Sequence, residues 1–155
     1  DKGIHLIMNK KILVMGLNGS GKTTFAKKLA YALNCPHINA DEVRAKAKDW
    51  DFSPKGRKRQ CLRVKEMADA LDDFVVCDFI CPTEELRQLF EPALLIWMNT
   101  TKHSKYEDTH KMFEPPKWFH FQIRNKQNNL YDLAVKQIKS LVTADFSTLL
   151  KKDGK

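Results

Sequence analysis

The sequence predicts a three-layer α/β fold, in which helices cover both faces of a five-stranded parallel β-sheet. Short apolar runs alternate with stretches of helical periodicity along the chain, the pattern of successive β-α-β units. The turn between the first apolar run and the first helical stretch is short and rich in glycine. With 155 residues, 43% of them hydrophobic, the chain has the size and apolar content of one globular domain.

Five apolar runs of strand length predict the strands of this sheet. The first run is closed by a glycine, and the second follows a proline that stops a helix. The third ends in an aspartate, and the fourth is the longest apolar run of the chain. Runs of this length and composition are typical of buried strands. The predicted strands are residues 11–16, 37–39, 74–78, 93–98 and 118–123.

The stretches between and after the strands predict five helices. An apolar stripe with a period of three to four residues marks the first of them. Asp41 is a candidate cap of the second helix and Thr83 of the fourth. Ser53 followed by Pro54 combines a cap residue with a proline at the first turn of the third helix. The predicted helices span residues 22–33, 41–48, 53–71, 83–90 and 130–141.

The chain is basic, and its cysteines match no zinc or C-x-x-C spacing. It carries 27 lysines and arginines against 19 acidic residues, a net charge of +8. Such a surface favours anionic partners such as nucleotides, sulfates or nucleic acids, although the charge can also serve solubility alone. The unpatterned cysteines indicate free thiols in a reducing compartment. No apolar run is long enough to cross a membrane.

Residues 16–24, Gly-Leu-Asn-Gly-Ser-Gly-Lys-Thr-Thr, fit the G-x-x-x-x-G-K-[ST] pattern of a P-loop, between a predicted strand and a predicted helix. The glycines let successive backbone N–H groups turn toward phosphate oxygens, and the helix N-terminus adds its positive end. Lys22 reaches the β- and γ-phosphates of ATP, and the Thr23 hydroxyl can ligate Mg²⁺. The alternative is a chance glycine-rich turn. The residues predicted to hold Mg-ATP are Gly16, Asn18, Gly19, Ser20, Gly21, Lys22, Thr23 and Thr24.

Two carboxylates follow predicted strands and are expected near the P-loop, because ligands of parallel sheets bind beyond the carboxyl ends of the strands. Asp78 closes a strand of the Walker-B kind, whose aspartate holds Mg²⁺ directly or through water. Asp41 is a candidate for accepting a proton from a substrate hydroxyl or for supporting the magnesium. The alternatives are a turn residue at Asp78 and a helix cap at Asp41. We predict catalytic roles for Lys22 and Asp41, and a metal site at Thr23 and Asp78.

Arg57 lies in line with the apolar stripe of the third predicted helix, next to Gln60. A guanidinium at such a position suits sulfate or phosphate oxygens, whereas a solvated basic face is the alternative. The segment 101–117 is polar, rich in lysine and without a clear period, which is typical of a lid that closes on ATP and excludes water. A disordered surface loop is the alternative there. Residues 1–7 are interpreted as a short extension and not as a signal peptide.

The ordered motifs of residues 11–123 resemble those of the adenylylsulfate kinase (APS kinase) family of P-loop kinases. Residues 12–24 look like the family's first motif, and residues 39–44 (NADEVR) are similar to its D-G-D-x-[VI]-R segment. Residues 52–63 are similar to its F-S-x-x-x-R-x-x-N-x-x-R helix. Residues 78–82 (DFICP) resemble its A-F-I-S-P turn, and residues 113–116 (FEPP) its Y-E-P-P close.

The resemblance implies a short, divergent member of this family with the sheet order 2-3-1-4-5. It implies a cytoplasmic enzyme of sulfate assimilation that transfers the γ-phosphoryl group of ATP to the 3′-hydroxyl of adenylyl sulfate. Members of the family are often dimeric, so a homodimer is a possible assembly. In this reading Phe52 stacks on the adenine and arginines hold the sulfate-phosphate end. The implied acceptor residues are Asp41, Arg44, Phe52, Arg57, Gln60, Phe79 and Ile80.

Four positions depart from the family's pattern. The aspartate expected at 39 is asparagine, the asparagine at 60 is glutamine, the serine at 81 is cysteine and the alanine at 78 is aspartate. The predicted lid is also short. These changes affect the acceptor side and not the P-loop. Two alternatives therefore stay open: a kinase for another hydroxyl, such as a sugar or a nucleic-acid 5′ end, and an ATP-binding module without transfer activity.

Overall fold

A computed structural model describes residues 9–102, 104 and 106–153, with side chains described up to residue 143. The predicted extension at residues 1–7 lies outside this part of the chain. Strands and helices alternate through most of it, as expected. In chain order the elements are β1 (Lys11–Met15), α1 (Lys22–Leu33), β2 (His37–Asn39), α2 (Ala40–Ala47), α3 (Pro54–Asp69), β3 (Val75–Asp78), α4 (Glu84–Phe90), β4 (Leu94–Met98), α5 (Glu107–Met112), β5 (Phe121–Ile123) and α6 (Asn128–Asp153).

The strands form one parallel sheet in the order β2-β3-β1-β4-β5, which confirms the predicted topology. β1 is the central strand, where Leu13 pairs with Cys77 of β3 on one side and with Leu95 of β4 on the other. All of β1 is buried, as expected for a strand covered on both faces. Because the strands are parallel, the carboxyl ends of β1, β2, β3 and β4 open at the same edge of the sheet.

Each face of the sheet carries its own hydrophobic core. Along β1, Ile12 and Val14 belong to one core, while Leu13 and Met15 belong to the other, the alternation expected of a strand. Residues of α1 and α6 close the first core, and residues of α2, α3 and α4 close the second. Helices therefore pack against both faces of the sheet, which confirms the predicted three-layer fold.

Asn39, and not Asp41, caps α2. The Asn39 side-chain oxygen accepts the backbone N–H of Glu42 at 3.0 Å, and Asp41 lies exposed in the first turn. The caps predicted at Ser53 and Thr83 are confirmed, since both side chains accept a backbone N–H of their own helix at 3.2 Å. The correction at Asp41 matters because it removes the structural alternative to a functional role.

Three further predictions about segments are corrected. The segment 101–117, predicted without secondary structure, contains the six-residue helix α5, which is too short to reveal a helical period in the sequence. The fifth strand begins at Phe121 and not at 118, and α3 ends at Asp69 and not at 71. The four cysteines are free thiols, as predicted. In the part of the chain described here, no helix has the length and apolarity required to span a membrane.

Candidate active site

The turn between β1 and α1 has the backbone shape that the P-loop pattern predicts. Gly16 lies so close to β4 that a Cβ atom would come within 2.6 Å of the Met98 carbonyl oxygen. Gly21 is the N-cap of α1 and has a φ of 89°, in the left-handed region that glycine adopts without strain. Both positions therefore require glycine, and together they leave the amino end of α1 facing the site.

Ser20, in the same turn, carries a buried hydroxyl without a partner. Among the described residues it is the one side chain with a buried polar atom that forms no hydrogen bond, and the residue is fully buried. Leaving such a group unsatisfied costs about 1–3 kcal/mol. Because the hydroxyl lies in a turn at a helix N-terminus, a phosphate oxygen there would satisfy it. The residues present thus fit the phosphates of ATP.

Lys22 lies across the P-loop, with its Nζ donating to the Leu17 carbonyl at 3.0 Å. The side chain is half-buried. Burial lowers the pKa of its ammonium group, and the negative charges of Asp78 and Asp41 oppose that shift. The cation is therefore partly desolvated and held by a single carbonyl oxygen, which a phosphate could displace.

Asp78 is the centre of a hydrogen-bonded cluster beneath the P-loop. Its Oδ1 accepts the Thr23 hydroxyl at 2.9 Å and the Asn39 side-chain amide at 3.1 Å, and its Oδ2 contacts Nε2 of His37. Only 2% of Asp78 is exposed. The structure thus brings the two predicted metal ligands, Thr23 and Asp78, into direct contact. The described residues contain no group of three or more metal-binding side chains, so Mg²⁺ would depend on the nucleotide phosphates as well, as it commonly does.

His37 belongs to this cluster although the sequence analysis gave it no role. It lies two residues before Asn39 in β2, and residues two apart in a strand share a face. β2 pairs with β3 so that Asn39 lies opposite Asp78. The two-residue spacing of His37 and Asn39 places both on one face of β2 and is visible in the sequence, but their contact with Asp78 depends on the register of β2 against β3.

A cavity next to the P-loop brings all the predicted acceptor residues together. Lys22, Thr23 and Asp78 line its P-loop end. Asp41 lines it as an exposed residue, while the arginines and Gln60 are buried. The predicted acceptor residues among its walls are Asp41, Arg44, Phe52, Arg57, Gln60, Phe79 and Ile80.

Two guanidinium groups lie near the Phe52 ring in this cavity. The Cζ atom of Arg44 is 4.4 Å from the centroid of the Phe52 ring, and that of Arg57 is 5.5 Å from it. The arginines are buried, whereas 53% of Phe52 is exposed. The cations interact favourably with the ring, and the exposed part of Phe52 remains available for a planar ligand.

The two guanidinium groups are desolvated without a carboxylate partner. Arg44 donates to the carbonyls of Asp49 and Asp51 at 2.9 and 3.2 Å, and Arg57 donates to the Thr109 hydroxyl at 3.1 Å. Burial lowers the pKa of both arginines. Among the described residues neither forms a salt bridge. The cavity therefore has positive charge to offer an anionic ligand.

Gln60 makes contacts of its own within the protein. Its side-chain nitrogen donates to the Ala40 carbonyl at 2.7 Å, and its side-chain oxygen accepts Arg63 at 2.6 Å. Arg63 in turn donates to Asp49 at 2.9 Å. Gln60 thus links α3 to the start of α2 and has a structural role in addition to lining the cavity.

Arg87 is a buried residue of the site region that the sequence analysis missed. Only 2% of it is exposed. It donates to the Cys81 carbonyl at 2.9 Å, to the Glu84 carboxylate at 2.6 Å and to the Glu114 carbonyl at 2.5 Å. It therefore connects three parts of the chain: the turn at residues 78–82, α4 and the end of the segment 101–117. Arg87 lies three residues before Phe90 and next to Leu86, both apolar and buried. This position on the apolar side of a short helix is the sequence pattern that could have indicated a buried arginine.

Comparison with known proteins assigns a family to this arrangement. The family model described as adenylylsulphate kinase matches residues 8–107. No curated protein sequence matches the chain.

Several solved structures are similar in fold. The APS kinase CysC of Mycobacterium tuberculosis, solved in complex with AMPPNP and APS, has a TM-score of 0.72 at 18% identity, over 88% of this chain and 98% of that one. A gluconokinase from Sinorhizobium meliloti has a TM-score of 0.67 at 14% identity, over 91% and 97% of the two chains. A shikimate kinase from Acinetobacter baumannii, solved with shikimate, has a TM-score of 0.64 at 16% identity, over 92% and 98%. At these identities the similarity is one of fold.

Proposed function

Because the chain belongs to the adenylylsulphate kinase family, we propose that it transfers the γ-phosphoryl group of ATP to the 3′-hydroxyl of adenylyl sulfate. Family and fold make it a P-loop kinase, a phosphotransferase that binds a nucleotide. The observation that supports adenylyl sulfate as the acceptor is the pair of buried guanidinium groups around Phe52. The phosphate and sulfate of that acceptor supply the anions, and its adenine can stack on the exposed Phe52 ring.

The proposed chemistry assigns a separate task to each end of the cavity. Asp41 accepts the proton of the acceptor hydroxyl as the hydroxyl oxygen bonds to the γ-phosphorus. The bond from that phosphorus to the oxygen bridging the β- and γ-phosphates breaks, and ADP leaves. Lys22 leaves the Leu17 carbonyl and stabilises the negative charge on the transferred group. Mg²⁺, when bound with ATP, neutralises charge on the phosphate oxygens. Thr23 and Asp78 would hold it, with the Asp78 carboxylate oriented by Asn39.

The departures from the family pattern at 39 and 78 compensate for each other. The family's D-G-D segment has an aspartate where this chain has Asn39, and its A-F-I-S-P turn has an alanine where this chain has Asp78. The two residues lie side by side in β2 and β3, and the Asn39 amide donates to the Asp78 carboxylate. A carboxylate is thus present at this edge of the sheet in either pattern, which supports magnesium binding by Asp78.

Replacing Asp78 with asparagine is expected to weaken magnesium binding more than nucleotide binding. The change removes the negative charge next to Thr23 and keeps the size of the side chain. We expect raised Mg²⁺ to restore part of the turnover, and the thermal stabilisation by ADP to require more Mg²⁺ than in the unmodified protein. Asp72→Asn, an exposed carboxylate before the same strand, is the control. Unchanged Mg²⁺ dependence in both measurements would remove Asp78 from the metal site.

Replacing Arg57 with alanine is expected to raise the KM for adenylyl sulfate and leave the KM for ATP nearly unchanged. A lost charge-assisted hydrogen bond is worth about 1.5–3 kcal/mol, which corresponds to roughly a 10–150-fold change. Steady-state kinetics with each substrate varied in turn measures both constants. Lys58→Ala, next to Arg57 and exposed, is the matched control.

The same assay tests the acceptor itself. Adenylyl sulfate, gluconate, shikimate and a short 5′-hydroxyl oligonucleotide are compared as phosphoryl acceptors at two salt concentrations. The net charge of +8 keeps the oligonucleotide in the comparison. Binding to several nucleic-acid phosphates would weaken steeply with salt, because it releases counterions. Phosphorylation of the oligonucleotide alone, with a steep salt dependence, would replace adenylyl sulfate as the acceptor. No transfer to any acceptor, despite ATP binding, would favour a binding module.

We also propose a cytoplasmic location and, on the family resemblance alone, a homodimer. The buried thiols of Cys61, Cys77 and Cys81 support a reducing compartment. The mass of the protein in solution, measured by light scattering, tests the dimer.

A further inference from the structure

The segment 101–117, predicted as a lid over ATP, contacts Arg57, a residue that lines the acceptor cavity. Thr109 of α5 has only 4% of its surface exposed, and its hydroxyl accepts a hydrogen bond from Nη2 of Arg57 at 3.1 Å. The bond is buried and joins residues 52 positions apart. α5 thus contacts, through Thr109, the guanidinium that the proposed function assigns to the acceptor.

Two other described residues of this segment, Ser104 and Glu114, contact the two sides of the site. Near its start, the Ser104 hydroxyl lies 3.3 Å from the side-chain oxygen of Asn18 in the P-loop. Near its end, the Glu114 N–H donates to the Pro82 carbonyl at 2.7 Å, and Arg87 donates to the Glu114 carbonyl. With both ends fixed, Thr109 is presented to Arg57 by an anchored segment.

The Thr109 contact fixes the plane of the Arg57 guanidinium. Nε of Arg57 donates to the Phe52 carbonyl at 2.9 Å, and Nη2 donates to Thr109. Two donors at different corners of a planar group leave it little freedom to rotate. A guanidinium has five N–H groups in a rigid fork, so donors remain for the oxygens of an anion. A fork held in advance binds an anion without losing further rotational freedom.

We propose that Thr109 is a positioning residue for the acceptor, which acts by orienting Arg57. The proposal rests on the proposed function, in which Arg57 holds the anionic part of the acceptor. It gives α5 a task on the acceptor side of the site, separate from any closure over ATP. It also predicts that Thr109 matters only while Arg57 is present.

The test combines Thr109→Val, Thr109→Ser and Thr109→Ala with Arg57→Ala. Valine keeps the shape of threonine and removes the hydroxyl, whereas serine keeps the hydroxyl. We expect Thr109→Val and Thr109→Ala to raise the acceptor KM roughly 2–10-fold, as for one lost hydrogen bond, with the KM for ATP unchanged. Thr109→Ser should stay near the original value. Glu107→Gln, exposed on the same helix, is the control.

The double variant separates positioning from a structural role. If Thr109 acts through Arg57, then Arg57→Ala with Thr109→Val should have the acceptor KM of Arg57→Ala alone. Additive effects, a rise in the KM for both substrates, or an unchanged acceptor KM in Thr109→Val and Thr109→Ala would overturn the inference. An unchanged acceptor KM in Arg57→Ala would instead contradict the proposed function at Arg57, so the two failures are distinguishable.

Discussion

Replacing Asp41 with asparagine is expected to lower turnover by roughly 10²–10⁴-fold, the range for a positioned acid–base group. Asp41 is exposed, lines the acceptor cavity and does not cap α2. The substitution should therefore leave the melting temperature and the KM for ATP close to their original values. Measuring kcat together with thermal unfolding separates a chemical effect from a structural one.

Glu42→Gln provides the matched control for Asp41, since Glu42 is the next residue, exposed and in the same first turn. It changes the same charge at nearly the same place but does not line the cavity. Normal turnover in Asp41→Asn would show that the family resemblance misidentifies the catalytic carboxylate. A similar loss of turnover in both variants would indicate that the negative charge of this helix turn matters, and not proton transfer by Asp41.

Replacing Lys22 with alanine is expected to abolish measurable phosphoryl transfer while the protein stays folded. Removing one preorganised donor to developing charge commonly costs roughly 10²–10³-fold, and Lys22 is also a predicted phosphate-binding cation. Turnover and circular dichroism are measured on the same sample. Lys27→Ala, exposed on the same helix, should retain activity. Full turnover in folded Lys22→Ala would remove the P-loop from the mechanism.

Lys22→Met should not lower the melting temperature of the nucleotide-free protein. Burial lowers the Lys22 pKa below its usual value, so the folded state disfavours the charged form. That cost is present in full below the lowered pKa, falls as the pH rises through it, and is gone above the usual pKa of lysine. Methionine keeps the apolar stem without the charge. We expect an unchanged or higher melting temperature without nucleotide, and a smaller stabilisation by ADP with Mg²⁺.

The sequence predicts features that depend on nearby residues. The P-loop, α1 and the caps at Ser53 and Thr83 each depend on residues within a few positions of one another, and the structure has them where predicted. The sheet order was accessible through the family resemblance. For the cap of α2, the sequence offers asparagine and aspartate within three positions of one another, and both residue types are good caps. The structure shows that Asn39, the last residue of β2, is the cap.

Contacts across the fold were beyond the sequence. The cluster of His37, Asn39 and Asp78 depends on the register of β2 against β3, which no local pattern specifies. The contact of Arg57 with Thr109 joins α3 to a helix of six residues, too short for its periodicity to be visible. The sequence does show that Arg57 lies in the apolar stripe of its helix. Because a charge at such a position needs a partner, this pattern indicates that a partner exists but not that it is Thr109.

The central position of β1 has a consequence for how this protein is made. Its strand partners lie more than sixty residues downstream in β3 and more than eighty residues downstream in β4. At about 5–20 residues per second, the ribosome needs roughly 4–16 s to synthesise the chain from β1 to β4. Until β3 has been added, an entirely apolar segment, Ile12–Met15, has neither of its neighbours to pair with, and until β4 has been added it still lacks one of them. Nascent chains of this protein are therefore expected to depend on chaperone protection of that segment until β4 has been synthesised.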